Sequence, residues 1–362
     1  MQTSSLYVHI PFCDRICSYC DFAKVFYRED LVDHYLDRLE EELKELPATK
    51  MKTIYIGGGT PSALQLHQLE RLFQMLSSFY DEKTIEYCIE ANPESLTHEK
   101  IDLMIAYHIN RLSLGVQSFN EELLKKIERV HNKDMVEDVI FYACSKGLTN
   151  LSIDLMYGLP TQSKEDILYD LEVASHLPLQ HISYYSLILE EGTKLNNEHY
   201  EGLSEDEDAY YSDLIVNELE KMGYHQYEVS NYAKGDHESE HNKVYWHYEN
   251  YYGVGSGASG KIDNTLIDHS RALFQYIKGK DTRSNTTLSE EDTMFNHVMM
   301  SLRLLEGLDL CDFYERYHKH VEEVYGKAIE KNKDHLVIEN NHLHCTKQSL
   351  KILNTILLDF LD

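Results

Sequence analysis

Cys13, Cys17 and Cys20 form a C-x3-C-x2-C triplet in HIPFCDRICSYCDF, directly after the first β-prone run of the chain. Three thiolates at that spacing can hold three corners of a cubane iron–sulfur cluster and leave the fourth iron without a protein ligand. An open iron is a reaction site, so the rest of the chain has to place a cavity beside this loop. The residues alone leave two alternatives, a structural zinc knuckle or buried thiols acting as small hydrophobes. Zinc calls for a fourth ligand at a partner spacing, and no second C-x-x-C stands in the chain. Buried thiols have no reason to cluster after a strand.

The first two-thirds of the sequence alternates short β-branched or aromatic runs with amphipathic segments. Strands are expected at Leu6–Ile10, Thr53–Ile56, Ile85–Glu90, Arg111–Val116, Leu151–Met156 and His181–Leu189. Helices are expected over the Leu31–Leu46 stripe, Ser62–Tyr80, His98–Tyr107, Lys133–Lys146, Lys164–His176 and Glu205–Met222. Repeated βα order predicts an α/β fold with a parallel sheet, open or curled into a partial (β/α) TIM-like barrel, with ligands at the carboxyl ends of the strands. Residues 225–260, rich in Tyr, His, Asn and Gly, read as a strand and an irregular segment. From Ser289 the pattern is helical, with a hairpin in HLVIENNHLHC turned at Asn340–Asn341, which suggests a winged-helix-like domain. The expected organisation is a core over 1–225, a connecting segment over 226–288 and a C-terminal helical domain over 289–362.

Charge excludes several partners. Lys plus Arg total 34 against 62 Asp plus Glu, a formal charge of −28. That balance argues against a nucleic-acid backbone and against a polybasic membrane anchor. The tail, with 8 Lys/Arg against 14 Asp/Glu over residues 290–362, lacks the basic face a DNA-binding wing needs. Seven cysteines, three of them crowded together, fit a reducing compartment better than a disulfide framework. No leader segment or membrane-length apolar run is visible, and a cytoplasmic location is expected.

The run TIYIGGGTPS places three glycines after the second strand, either as a plain tight turn or as backbone left bare for a small zwitterion. Polar residues stand at other strand ends: Glu90 in IEYCIEANP, Gln117 in RLSLGVQSF, Arg129 in IERVHN and Asp154 in LSIDLMYGLP. Each alone reads as a cap or a solvated position, but in a parallel sheet all share one rim with the cysteine loop.

The series LYVHIPFC, IGGGTPS, IEANPES, RLSLGVQSF and IDLMYGLP resembles the radical SAM superfamily, in the branch of oxygen-independent coproporphyrinogen III oxidases (HemN) and their haem-binding HemW relatives. The resemblance covers nearly the whole chain. It implies a 4Fe–4S cluster on Cys13, Cys17 and Cys20, and S-adenosylmethionine against Tyr7, Gly58, Gly59, Thr60, Glu90, Gln117, Arg129 and Asp154. The oxidases carry a further cysteine two residues past the third ligand, where this chain has Phe22, and a longer segment ahead of the cluster. HNKVYW matches the H-N-x-x-Y-W pattern of the haem-chaperone type. The resemblance therefore implies a third ligand, haem, at His241, Asn242, Tyr245 and Trp246, with His241 the first choice for its iron and Tyr245 and His247 as alternatives.

The expected function is haem binding and delivery to acceptor haemoproteins, without coproporphyrinogen oxidase turnover. The rivals are that oxidase and another radical enzyme acting on a small tetrapyrrole. Expected partners are haem, haem acceptors and an electron donor, with a homodimer possible. A G-x-G-x-x-G match at Gly255–Gly260 lacks a following βαβ unit and reads as close backbone packing, not a dinucleotide site.

Overall fold

The computed structural model describes residues 3–280 and 282–361. Its centre is one sheet of nine strands: β1 Ser5–Ile10, β2 Thr53–Gly58, β3 Glu86–Ala91, β4 Arg111–Gln117, β5 Asn150–Tyr157, β6 His181–Ser186, β7 His225–Gln226, β8 Asn231–Ala233 and β9 Tyr252–Val254. Their spatial order is β9-β1-β2-β3-β4-β5-β6-β8-β7, parallel from β9 through β6 and antiparallel over β8 and β7. The sheet curls without closing, so the fold is a partial barrel.

Each crossover is a helix whose apolar stripe covers the sheet: α1 Glu29–Glu45, α2 Leu66–Leu76, α3 His98–Ala106, α4 Lys133–Ser145, α5 Lys164–Ser175 and α6 Glu205–Lys221. Val32, Tyr35, Leu36, Leu39 and Leu43 form that stripe on α1. Ser163 with Asp166 and Ser204 with Glu207 close capping boxes at the starts of α5 and α6, which fixes where those helices begin. β4 is buried at every position, as expected of a parallel strand covered on both faces.

Residues 226–288 are more ordered than their composition suggests. They supply β8 and β9 to the main sheet, the helix α7 Glu240–Trp246, and a separate antiparallel sheet of β10 Ser259–Ile262, β11 Thr265–His269 and β12 Arg283–Thr287. The irregular stretch expected around HNKVYW is thus helical. Ser239 accepts a hydrogen bond from the Asn242 amide and caps it, and the Glu86 carboxylate accepts from the Glu240 amide at 2.9 Å and the His241 amide at 3.0 Å. The G-x-G-x-x-G match is a close approach, because a Cβ on Gly255 would stand 2.7 Å from the His9 carbonyl oxygen and one on Gly260 2.9 Å from the Gly253 amide nitrogen.

The C-terminal unit has its own core, which includes Val298, Leu302, Phe313, Leu343 and Leu353. It comprises α8 Glu290–Ser301, α9 Leu310–Tyr317, α10 Val321–Lys331 and a small sheet of β13 Leu308–Asp309, β14 Leu336–Glu339 and β15 His342–Cys345. Asn340 and Asn341 both take positive φ, at 48° and 66°, and make the two-residue hairpin turn. Among the described residues no helix is long and apolar enough to cross a membrane.

Candidate functional site

The cysteine loop leaves the carboxyl end of β1 and is stitched down by pairing of Phe12–Cys13 with Val25–Phe26. Cys13 is buried, Cys17 and Cys20 are half-buried, and all three are free thiols. Thr60 Oγ1 donates to Cys13 Sγ at 3.4 Å and Arg129 Nη1 to Cys17 Sγ at 3.7 Å. Lys24 Nζ donates to the Cys20 carbonyl at 2.6 Å. Burial pushes the Cys13 thiol up to about 11. No set of three or more His, Cys, Asp or Glu among the described residues is gathered tightly enough for a single metal ion. The thiols instead line one face of a shared cavity.

Glycine is needed where this loop meets β2. A Cβ on Gly59 would stand 2.9 Å from both Cys13 Sγ and the Phe12 carbonyl oxygen. Gly58 has φ +117°, and a Cβ there would strike the His9 ring at 2.7 Å. The bare backbone thus brings β2 against the cysteine loop and leaves a cradle that side chains would fill.

The cavity has a volume of about 480 Å³, within the range of small-molecule sites. The three cysteines line it together with Gly58, Gly59, Thr60, Glu90, Gln117, Arg129 and Asp154, so seven residues named from strand-end positions converge here. Tyr7 lies apart, in the wall of a second cavity that shares Gly58, Glu90 and Phe22 with the first.

Electrostatics divides the first cavity. Glu90 accepts from Tyr55 Oη at 2.8 Å and from the Gly58 amide at 3.0 Å, and burial pushes its carboxyl up to about 7. Asp154 accepts from Ser113 Oγ at 3.2 Å and burial pushes it up to about 6. On the other side Arg129 is buried, donates to the Gly115 carbonyl, and leaves its buried Nε without a partner. Gln117 holds φ 66° at a register shift between β4 and β5, which turns this strand end into the cavity. Two carboxyl groups and a guanidinium, the latter 3.7 Å from the Glu94 carboxylate, line one cavity and give it groups of both signs, which suits a zwitterion. The donor set therefore fits S-adenosylmethionine beside a cluster with one open iron.

The HNKVYW helix faces two ways. Asn242 lines the first cavity, whereas Tyr245 and Trp246 line the second. His241 reaches neither and is fully buried. Its Nδ1 is hydrogen-bonded to Thr53 Oγ1 at 2.8 Å and its Nε2 to Tyr245 Oη at 2.8 Å, and burial pushes it down to about 3. His241, expected as the first choice for haem iron, thus has both ring nitrogens engaged inside the protein and presents neither to a cavity. Its place is behind Tyr245, whose ring it holds. Nor does His247 line either cavity; it pairs with Glu306 at 3.3 Å.

Strand-end reasoning missed Tyr55, whose hydroxyl holds Glu90, and Asn92, which donates to Thr60 Oγ1 at 3.2 Å.

Comparison with known proteins agrees with this arrangement. Residues 7–174 match the model of the radical SAM superfamily and residues 288–350 that of the HemN C-terminal domain. The heme chaperone HemW of Lactococcus lactis is 38% identical, over 99% of this chain and 98% of that protein. The Bacillus subtilis HemW is 35% identical over 93% of each, and that of Escherichia coli 34% identical over 85% of each. The chain belongs to the HemW family of radical SAM proteins. The crystal structure of E. coli coproporphyrinogen III oxidase, HemN, superposes with a TM-score of 0.85 over 99% of this chain and 90% of that one. At 23% identity that likeness concerns the fold alone. A 4Fe–4S cluster and S-adenosylmethionine characterise the superfamily to which HemW proteins belong.

Proposed function

We propose that the chain is a haem chaperone, which takes up haem and passes it to haem-free acceptor proteins. Cys13, Cys17 and Cys20 hold a 4Fe–4S cluster in this reading. Glu90 and Asp154 face the ammonium side of S-adenosylmethionine, Arg129 its carboxylate, and Gly58, Gly59, Thr60 and Gln117 shape the cradle. The bound cluster and cofactor supply one-electron chemistry at the open iron. The residues themselves bind, orient and exclude water.

The observation that carries the haem reading is the second cavity. It holds about 680 Å³, is largely apolar, and receives Tyr245 and Trp246 from the motif found in haem-chaperone relatives. Flat aromatic walls suit a porphyrin face. Phe22, 61% exposed, lines both cavities at the position where the oxidases would have another cysteine. That side chain offers neither a thiol nor a proton to substrate chemistry at the cluster.

Transfer tests the proposal. The haem-loaded, cluster-reconstituted protein is mixed anaerobically with an apo-haemoprotein, and the acceptor's spectrum is followed. Transfer faster than from free haemin at equal concentration is expected, and haem that stays bound or leaves only at its spontaneous rate would count against the reading.

A further inference from the structure

The chemistry of the second cavity identifies how it would hold its cargo. Its lining brings together the barrel, the HNKVYW helix and the end of α8 from the C-terminal unit. Tyr245, Trp246, Tyr248 and Tyr251 form aromatic walls, and Met299 and Met300 come from α8. Two basic side chains, Lys261 and Arg271, and two acidic ones, Glu90 and Glu249, stand in the lining with Ser259, Asn296 and His9. Glu90 is already turned to Tyr55 and the Gly58 amide.

Each group able to ligate iron there can be followed to its present partners. His9 is the one imidazole in the lining, and both its nitrogens are engaged, Nδ1 with Tyr7 Oη at 2.9 Å and Nε2 with the Ala23 carbonyl at 2.8 Å. Lys261 Nζ donates to the Tyr248 carbonyl at 3.0 Å and Asn250 Oδ1 at 3.3 Å. Tyr7 and Tyr245 are hydrogen-bonded to His9 and His241. Burial pushes Tyr251 up to about 12 and raises Tyr248, which opposes formation of a phenolate ligand. The thioethers of Met299 and Met300 differ from all of these. They are half-buried, carry no proton to lose, and have no strong hydrogen bond to give up. Thioether sulfur is an established axial donor to haem iron.

We propose that the second cavity seats a haem with its iron ligated by a thioether of the Met299–Met300 pair, and its two propionates directed to Lys261 and Arg271. The assignment rests on the haem-chaperone reading and replaces His241 as the ligand. Arg271 donates Nη1 to the Asp21 carbonyl at 2.7 Å and sets Nη2 4.0 Å from the Asp21 carboxylate, an exposed pair that leaves further guanidinium donors for a carboxylate. A soft, neutral ligand from one side and aromatic walls from the other hold haem by packing as much as by the iron bond. That balance suits cargo that must leave. Because the ligand comes from α8 and the walls from α7, the haem would sit between the C-terminal unit and the barrel.

Haemin titration of the full-length, cluster-reconstituted chain tests the assignment, with near-infrared magnetic circular dichroism of the ferric form as the ligand readout. The wild type should bind haemin saturably and show the thioether-to-ferric-iron charge-transfer band. Met299→Leu combined with Met300→Leu should erase the band and weaken binding by about tenfold. The single variants identify which sulfur ligates, and the change conserves volume well enough for the fold to survive. Replacing the ligating Met by His should restore tight binding with an imidazole-type spectrum. His241→Ala should keep the thioether band. Saturable binding without that band, or a band that persists in the double variant, would overturn the methionine assignment while leaving haem binding intact. A wild type that binds no haem would overturn the functional reading itself.

Discussion

Cys17→Ala should reduce the iron and acid-labile sulfide of the reconstituted protein to background and abolish S-adenosylmethionine binding. A site with three protein ligands has none to spare, and two thiolates do not retain a cubane whose fourth iron is already open. The loss should come without unfolding. Cys17 is half-buried, and its side chain meets Tyr19 and receives the long contact from Arg129 at 3.7 Å. Deleting it should cost about 1 kcal/mol of apo-protein stability or less, as for a substitution outside the core. Iron analysis and a thermal melt on the same sample separate the two effects. A full complement of iron in the variant would mean that the triplet is not the cluster site.

Gly58→Ala should damage both the fold and the cofactor cradle. At φ +117° an L-residue is strained, and its Cβ would press on the His9 ring at 2.7 Å. His9 has nowhere to move, because Tyr7 and the Ala23 carbonyl hold its two nitrogens. Backbone strain and overpacking together should cost about 2–5 kcal/mol, a large share of a typical domain's stability. Relief by shifting β2 would carry the Gly58 amide away from Glu90 and empty the cofactor cradle. A denaturant melt should show a clear fall in midpoint, and the surviving folded fraction should bind S-adenosylmethionine poorly. An unchanged midpoint with normal cofactor binding would show that the backbone at this turn is not fixed as described.

The barrel was legible because its strands are buried on both faces and bounded by turn residues. Thr53–Ile56 and Leu151–Met156 were recovered to within two residues at each end, in strands that run Thr53–Gly58 and Asn150–Tyr157. The rim residues followed from parallel topology, which sends Glu90, Gln117 and Asp154 to the same end of the sheet. Residues 226–288 were harder to read for a physical reason. The helix Glu240–Trp246 is short and stands on Glu86, a residue more than 150 positions earlier, so its stability is tertiary. The strand Arg283–Thr287 is exposed along its length and shows no buried alternation. HNKVYW shows the limit of a motif: its residues stand on a helix where an irregular stretch is expected, and burial and hydrogen bonding decide which of its side chains line a cavity.

Haem handling and porphyrin synthesis are separated by a paired assay on one preparation. The cluster-reconstituted protein is given S-adenosylmethionine, a one-electron reductant and coproporphyrinogen III, and propionate loss is followed while haemin is titrated into a matched sample. Saturable haem binding with a shifted Soret band and no decarboxylated product is expected. Protoporphyrinogen formation at many turnovers, with no Soret shift in the matched sample, would contradict haem handling.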